Sequence, residues 1–262
     1  MGGNPKDIIA VIEAFAPACA QAEGDNTGLQ LGSPEQEVHG VLIALDCTPA
    51  LIEEAASRGC DMILTHHPLL YHPLQTVDPG EFVGGSIYAA VKHGCAIYAA
   101  HTSADRVKGG VSWVLAGKLG LKNVQTLDPD ADGLGFGAVG DLPEPKSPAE
   151  ALELVKEALG LPALRHSASV EGPVSRIAVC GGSGTSLVGK ALTAGAQLFV
   201  CGDINYHHFF APQGIMLADA GHFETEVGIV DIFCSVIKKN FPNFAVLISQ
   251  DIKSANPVGY LI

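Results

Sequence analysis

Residues 61–72 read DMILTHHPLLYH: a short apolar run, two adjacent histidines, then proline. A run of this length bounded by polar punctuation is a buried strand, and its neighbours repeat the form. VHGVLIALD (38–46), CAIYAA (95–100), LGFGAVGDL (134–142), VSRIAVCGG (174–182), AQLFVCGD (196–203), GIMLADAG (214–221) and NFAVLISQ (243–250) are further runs of strand length. Between them lie helical patterns: PALIEEAASRG (49–59), GGSIYAAVKHG (84–94), GGVSWVLAGKLG (109–120), SPAEALELVKEALG (147–160), SLVGKALTAG (186–195) and ETEVGIVDIFCSVIKK (224–239). Several close on glycine, as helix C-termini do. Strand and helix in alternation define an α/β fold with buried, partly parallel sheets. Near residues 122–148 the composition shifts: KNVQTLDPDADG (122–133) and DLPEPKSP (141–148) are rich in Asp, Pro and Gly and read as loops, which places a domain junction near residue 125. The α/β rhythm resumes beyond it, as expected of two related α/β lobes.

The chain has 262 residues, 47% of them hydrophobic, and a formal net charge of −13 from 15 Lys and Arg against 28 Asp and Glu. That field repels phosphate backbones, so general nucleic-acid binding is excluded. The seven cysteines are scattered, mostly inside apolar runs and without a C-x-x-C pair, as in a reduced, cytoplasmic protein. No apolar run is long enough to span a membrane. KDIIAVIEAFAPACA (6–20) is interrupted by Asp7 and Glu13 and reads as an amphipathic first helix.

Ligands in open α/β sheets sit beyond the carboxyl ends of the strands. Here those ends carry His66 and His67, then His101 with Asp105, then Asp203 with His207 and His208, then His222 with Glu226. Imidazole and carboxylate are ligands for divalent metals. Pro68 favours an extended His67, and neighbours in an extended chain point oppositely, so His66 and His67 are expected to serve two ions, or one ion and a supporting role. His222 and Glu226, at i and i+4, share a face if a helix begins near Gly221, and the carboxylate could bridge two metals. His101 and Asp105 share that spacing. His39, His93 and His166 lack a carboxylate partner at useful spacing and read as ordinary. GTSLVGKA (184–191) falls short of a phosphate-binding loop because Ala191 replaces the hydroxyl residue. It reads as a glycine-rich strand-to-helix turn whose N–H groups could accept an anion.

THHPLLYHPL (65–74), AAHTSADRVKGGVSWVLAGKLG (99–120), VCGGSG (179–184), CGDINYHHF (201–209) and DAGHFETE (219–226) occur in the order found in the NIF-three-like proteins, the GTP cyclohydrolase type-two homologues, which the chain resembles along essentially its whole length. GDNTGLQLG (24–32) is similar to the family's Trp-Asp-Asn segment, with Gly24 in place of tryptophan, and SANPVGYL (254–261) to its Asn-Pro ending. The resemblance implies the compact form: lobe 1 from residues 1–124 and 222–262, lobe 2 from 125–221, and mixed sheets with a metal cleft between the lobes. It implies a dinuclear centre of Zn, Mn, Fe, Co or Ni held by His66, His67, Asp105, His222 and Glu226. His101 and His207 are placed beside it as proton carriers or supporting groups. It also implies a ring-shaped homohexamer. The expected activity is metal-dependent hydrolysis of a nucleotide or phosphoester. The alternative is a metal-handling, regulatory or assembly factor without turnover.

Overall fold

The computed structural model describes residues 3–253 and 255–261. Ser254, which opens the Asn-Pro motif, lies outside the described residues. Along the chain come α1 (Pro5–Phe15), β1 (Gly28–Leu31), β2 (Gly40–Ala44), α2 (Pro49–Ser57), β3 (Met62–Thr65), α3 (Phe82–His93) and β4 (Ala96–Ala99). There follow α4 (Thr102–Asp105), α5 (Val111–Lys118), β5 (Lys122–Pro129), β6 (Gly135–Lys146), α6 (Pro148–Leu159), β7 (Arg165–His166) and β8 (Val174–Ser183). The remainder is α7 (Val188–Thr193), β9 (Leu198–Gly202), β10 (Met216–Asp219), α8 (His222–Glu226), α9 (Ile229–Asn240) and β11 (Ala245–Ile248). No helix among the described residues is long and apolar enough to cross a membrane.

Two compact units result, Met1–Ala104 with Ile229–Gly259, and Asp105–Gly228 with Tyr260–Ile262. The boundaries differ from those expected near residues 125 and 221. The two stretches read as loops are not a linker: most of KNVQTLDPDADG is β5, and DLPEPK closes β6, whose body LGFGAVGDL is the strand expected, the two pairing antiparallel within the second sheet. Asp128 and Pro129 are tolerated because β5 is an edge strand, most of its residues exposed or half-exposed, and Pro143 and Pro145 fall in the exposed end of β6, where its register with β8 shifts.

The first unit's sheet has the order β1-β4-β3-β2-β11. Its strands β4, β3, β2 and β11 are parallel, and β1 adds an antiparallel edge. β2, β3 and β4 are buried at every position, which is why they read as unbroken apolar runs. One layer of the core packs Ile52 and Ala55 of α2 and Ala90 of α3 against Leu42, Ile63 and Ile97.

The second unit's sheet runs β5-β6-β8-β9-β10-β7, parallel through β8, β9 and β10 and antiparallel elsewhere. α6 starts where the sequence dictates: Ser147 caps it in a capping box with Glu150, Pro148 follows, and Gly160 closes it at φ 64°. ETEVGIVDIFCSVIKK is not one helix. It divides at Val227–Gly228 into α8 and α9. A Cβ on Gly228 would sit 2.7 Å from Val114 Cγ1 and 3.0 Å from Lys118 Cε, so this close approach to α5 requires glycine.

Both units therefore contain three consecutive parallel strands, β2-β3-β4 and β8-β9-β10. His66 follows the middle strand of the first set, and Asp203 follows the middle strand of the second. His101 follows the third strand of one, and His222 the third of the other. Each of these last two is trailed at i+4 by a carboxylate, Asp105 or Glu226.

Candidate metal centre

In the first unit the chain does not remain extended past β3. The N–H groups of His66 and His67 both donate to the Leu45 carbonyl, at 3.2 and 2.9 Å, and the backbone bends there. This overturns the expectation that the two rings point oppositely. Their centroids lie 5.0 Å apart, and His101 joins them at 5.2 and 5.6 Å. One donor atom from each of His66, His67 and His101 lies within 4.8 Å of the others.

Each ring is held from behind. His66, fully buried, has Nδ1 2.9 Å from the Ala100 carbonyl. A carbonyl only accepts, so Nδ1 carries the proton and Nε2 the lone pair. His67 Nδ1 lies 2.7 Å from Asp46 Oδ1, and His101 Nδ1 lies 2.7 Å from Asp25 Oδ1. Asp25 is itself fixed by the Thr102 hydroxyl and N–H and by the Asn26 N–H. Burial opposes its charge, yet the hydrogen bonds from His101 and Thr102 hold its carboxyl below the ordinary value. Burial, and next the neighbouring His66 ring, lower the His101 pKa despite Asp25, which favours the neutral imidazole a metal needs.

The second unit gathers Asp105, His222 and Glu226. Asp219, at the end of β10, organises the approach. It accepts the N–H groups of Ile204 (3.1 Å) and Gly221 (3.2 Å) and pairs with Arg165. Gly221, at φ 80°, turns the chain into α8. His222 and Glu226 then stand one turn apart, with His222 Nε2 3.0 Å from Glu226 Oε2. A carboxylate oxygen of Asp105 comes within 4.8 Å of one from Glu226. Behind the ring, His222 Nδ1 meets Asp203 Oδ2 at 2.7 Å. Asp203 holds the left-handed backbone at φ 54°, a conformation that its short polar side chain tolerates, and also accepts the Ser183 hydroxyl.

The floor of this set is the glycine-rich turn of β8. The Thr225 hydroxyl accepts the Gly182 N–H at 3.0 Å, and a Cβ on Gly182, at φ 59°, would strike Glu226 Oε1 and lie 3.0 Å from His222 Cε1. Cys180 lies nearby. Burial, and then the charge of Asp105, push its thiol well above the ordinary value.

These features fit a divalent cation. Ligating histidines donate the second ring N–H to a carboxylate or carbonyl, and His66, His67, His101 and His222 all do so through Nδ1. His222 faces carboxylates on both nitrogens. With Asp203 holding Nδ1–H, a cation bound between Nε2 and the Glu226 carboxylate would take the place of a proton there. The His222 Nε2–Glu226 Oε2 distance of 3.0 Å is that of a direct hydrogen bond and is also short enough for both atoms to reach one ion.

Other histidines behave differently. His207 is exposed in a 3₁₀ turn, its ring 5.3 Å from that of Tyr206, outside the clustered donors. His39 and His93, read as lacking carboxylates, have them in space: Asp61 lies 2.7 Å from His39 Nδ1, and Glu53 lies 3.1 Å from His93 Nε2. Sequence separation concealed both pairs. It also concealed Asp46 and Asp25, although Asp46 could have been noticed as the acidic end of the β2 run. The GTSLVGKA turn folds as a 3₁₀ turn and the six-residue α7, and Lys190 pairs with Asp128 at 2.8 Å.

The fold and the sequence agree on a family. A model of the Duf34/NIF3 (NGG1p interacting factor 3) family matches residues 4–255, and the chain belongs to that family. A "GTP cyclohydrolase 1 type 2 homolog" of Clostridium perfringens is 36% identical over 84% of this chain and 86% of its own length. A protein of the same name from Clostridium acetobutylicum is 31% identical over 94% and 95%. Among solved structures, a Bacillus cereus protein related to NIF3 superposes with a TM-score of 0.93 at 24% identity, covering 99% of each chain, which speaks to the fold alone. Reduced HcgD from Methanocaldococcus jannaschii gives 0.80 at 28% identity, covering 95% and 99%.

Proposed function

We propose that this protein binds two divalent metal ions through His66, His67, Asp105, His222 and Glu226 and uses them to hydrolyse a nucleotide or phosphoester. The observation that carries the reading is the common tethering of His66, His67, His101 and His222 through Nδ1, which leaves Nε2 of each ring as the nitrogen turned away from its tether. When bound, a pair of such ions lowers the pKa of water and polarises a substrate oxygen. The chain supplies the rest. Asp46 and Asp203 orient the rings of His67 and His222. His101 Nε2 accepts a proton, and Asp25 at Nδ1 stabilises the imidazolium that forms. His207 has no comparable support, so the proton role falls to His101. The shared relative name, GTP cyclohydrolase 1 type 2 homolog, favours a purine nucleotide as the substrate class.

The six buried, free cysteines suit the reducing cytoplasm. The homohexameric ring belongs to the same proposal and is tested by light scattering.

Metal content per chain, measured by mass spectrometry on untagged protein, tests the core of the reading. Close to two ions in the wild type, falling in His66→Ala and Glu226→Gln, is the expected result. Persistent absence of metal after incubation with Zn, Mn and Fe(II) would refute it. The family description, an interacting factor, favours a second reading as a metal-handling or assembly factor. Metal exchange with no turnover on a nucleotide and phosphoester panel would select it.

A further inference from the structure

The segment that carries His66 and His67 continues into a cleft that shares only Asp25, the tether of His101, with the candidate metal centre. An open cleft of about 420 Å³ in the first unit is lined by Gly24, Asn26, Leu70, Tyr71, His72 and Leu74, among others. Tyr71 is 51% exposed although it stands directly against the histidine cluster. Its ring lies 5.9 Å from His101, perpendicular to it, and 4.7 Å from His72, steeply tilted. One wall has no side chain at all: Gly24 sits at φ 82°, and a Cβ there would meet nothing within 4 Å. Leu70 and Leu74 make the walls apolar. Polar groups among the lining residues are the Tyr71 hydroxyl, His72, Asn26 and the Asp25 carboxylate. The Asn26 Nδ2 hydrogens go to the Leu70 carbonyl (2.6 Å) and Gln30 (3.4 Å), so Oδ1 is the remaining acceptor of that amide.

A half-exposed aromatic face, apolar walls and polar lining groups describe the receptor for a flat ring with hydrogen-bonding edges. We propose that this cleft is a binding subsite for a planar nitrogen heterocycle of a small molecule, stacked on Tyr71 and thereby delivered beside His101. Calling that molecule a substrate rests on the metal-hydrolase reading; ring binding itself does not. The sequence logic is economical: eight consecutive residues, His66 to Pro73, supply both imidazole donors and the stacking ring, so the bend at His66–His67 also sets where Tyr71 stands.

The test titrates adenosine, and separately N-acetyltryptophanamide, into full-length protein in metal-loaded and chelated forms, by calorimetry and ligand-observed NMR. Adenosine should bind the wild type. Tyr71→Ala should weaken it at least about five-fold, and Tyr71→Phe should restore it, since aromatic stacking survives loss of the hydroxyl. Metal content should be equal in all three, and Tyr71 is exposed enough for the variants to fold. The proposal is overturned if adenosine does not bind, if Tyr71→Ala binds it equally well, or if only the tryptophan amide binds, which would make the cleft a protein-docking pocket. Tyr71-dependent binding in a protein that takes up no metal would support the cleft while refuting the metal reading.

Discussion

The carboxylates behind the rings act through the histidines. On the proposed metal reading, Asp203 at 2.7 Å from His222 Nδ1 and Asp46 at 2.7 Å from His67 Nδ1 orient the rings and raise their basicity as ligands. Asp203→Asn and Asp46→Asn are each expected to weaken metal affinity roughly 10–100-fold while leaving the ligands in place. Competition against a chromogenic chelator measures this directly, and unchanged affinity in both variants would remove the orienting role. At this scale the candidate ligands were legible from strand ends, but their supports were not. Asp25 reaches His101 across the sheet through the pairing of β1 with β4, a contact invisible before β1 is recognised.

Among elements, the buried parallel strands were readable because burial on both faces gives them continuous apolar runs. β1, β5 and β7 were not readable. They are edge strands, only partly covered, with Gln30, Lys122 and Arg165 breaking any apolar pattern. The joints between elements yield two predictions. Glu54 on α2 clamps the chain beyond β11, accepting from Ser249 Oγ at 2.6 Å and Gln250 N at 2.9 Å, while Arg58 donates to the Ile248 carbonyl at 3.1 Å. Glu54→Gln should cost about 1–3 kcal/mol, read as a lowered melting temperature. Burial opposes the Glu54 charge, but the Ser249, Gln250 and Arg58 contacts lower its pKa below 4.5 overall. With the folded pKa depressed, the stabilisation is whole above pH 4.5 and fades as pH falls through the lower folded value. The gap between wild type and variant should therefore narrow in acid. At the α8–α9 joint, Gly228→Ala should cost about 1–3 kcal/mol because Val114 must move, which denaturant titration would show as a lower midpoint.

For the whole molecule, metal binding to the folded state alone must raise stability, by about 2.7 kcal/mol at a free-ion concentration 100 times Kd. Chelation should lower the melting temperature of the wild type and leave that of a Glu226→Gln variant nearly unmoved. An equal melting temperature for chelated and loaded wild type would count against the ligand assignment. The sequence pattern announced two α/β lobes, while the polar stretch near residue 125 that suggested a junction is the edge strand β5, since composition marks polarity and an edge strand is as polar as a linker.

The chain leaves the first unit at Ala104 and returns at Ile229. β2 is buried at every position and pairs with β11, Gly40 facing Ala245. During translation, Asp105–Gly228 emerges as an almost uninterrupted block, while the edge of β2 waits for Ala245–Ile248. A nascent chain thus carries a bare, apolar strand edge through most of its synthesis, the kind of surface that recruits chaperones or pairs with a neighbouring ribosome's product. Ribosome-bound intermediates stalled before residue 245 are the forms in which this protein is most exposed to misassembly.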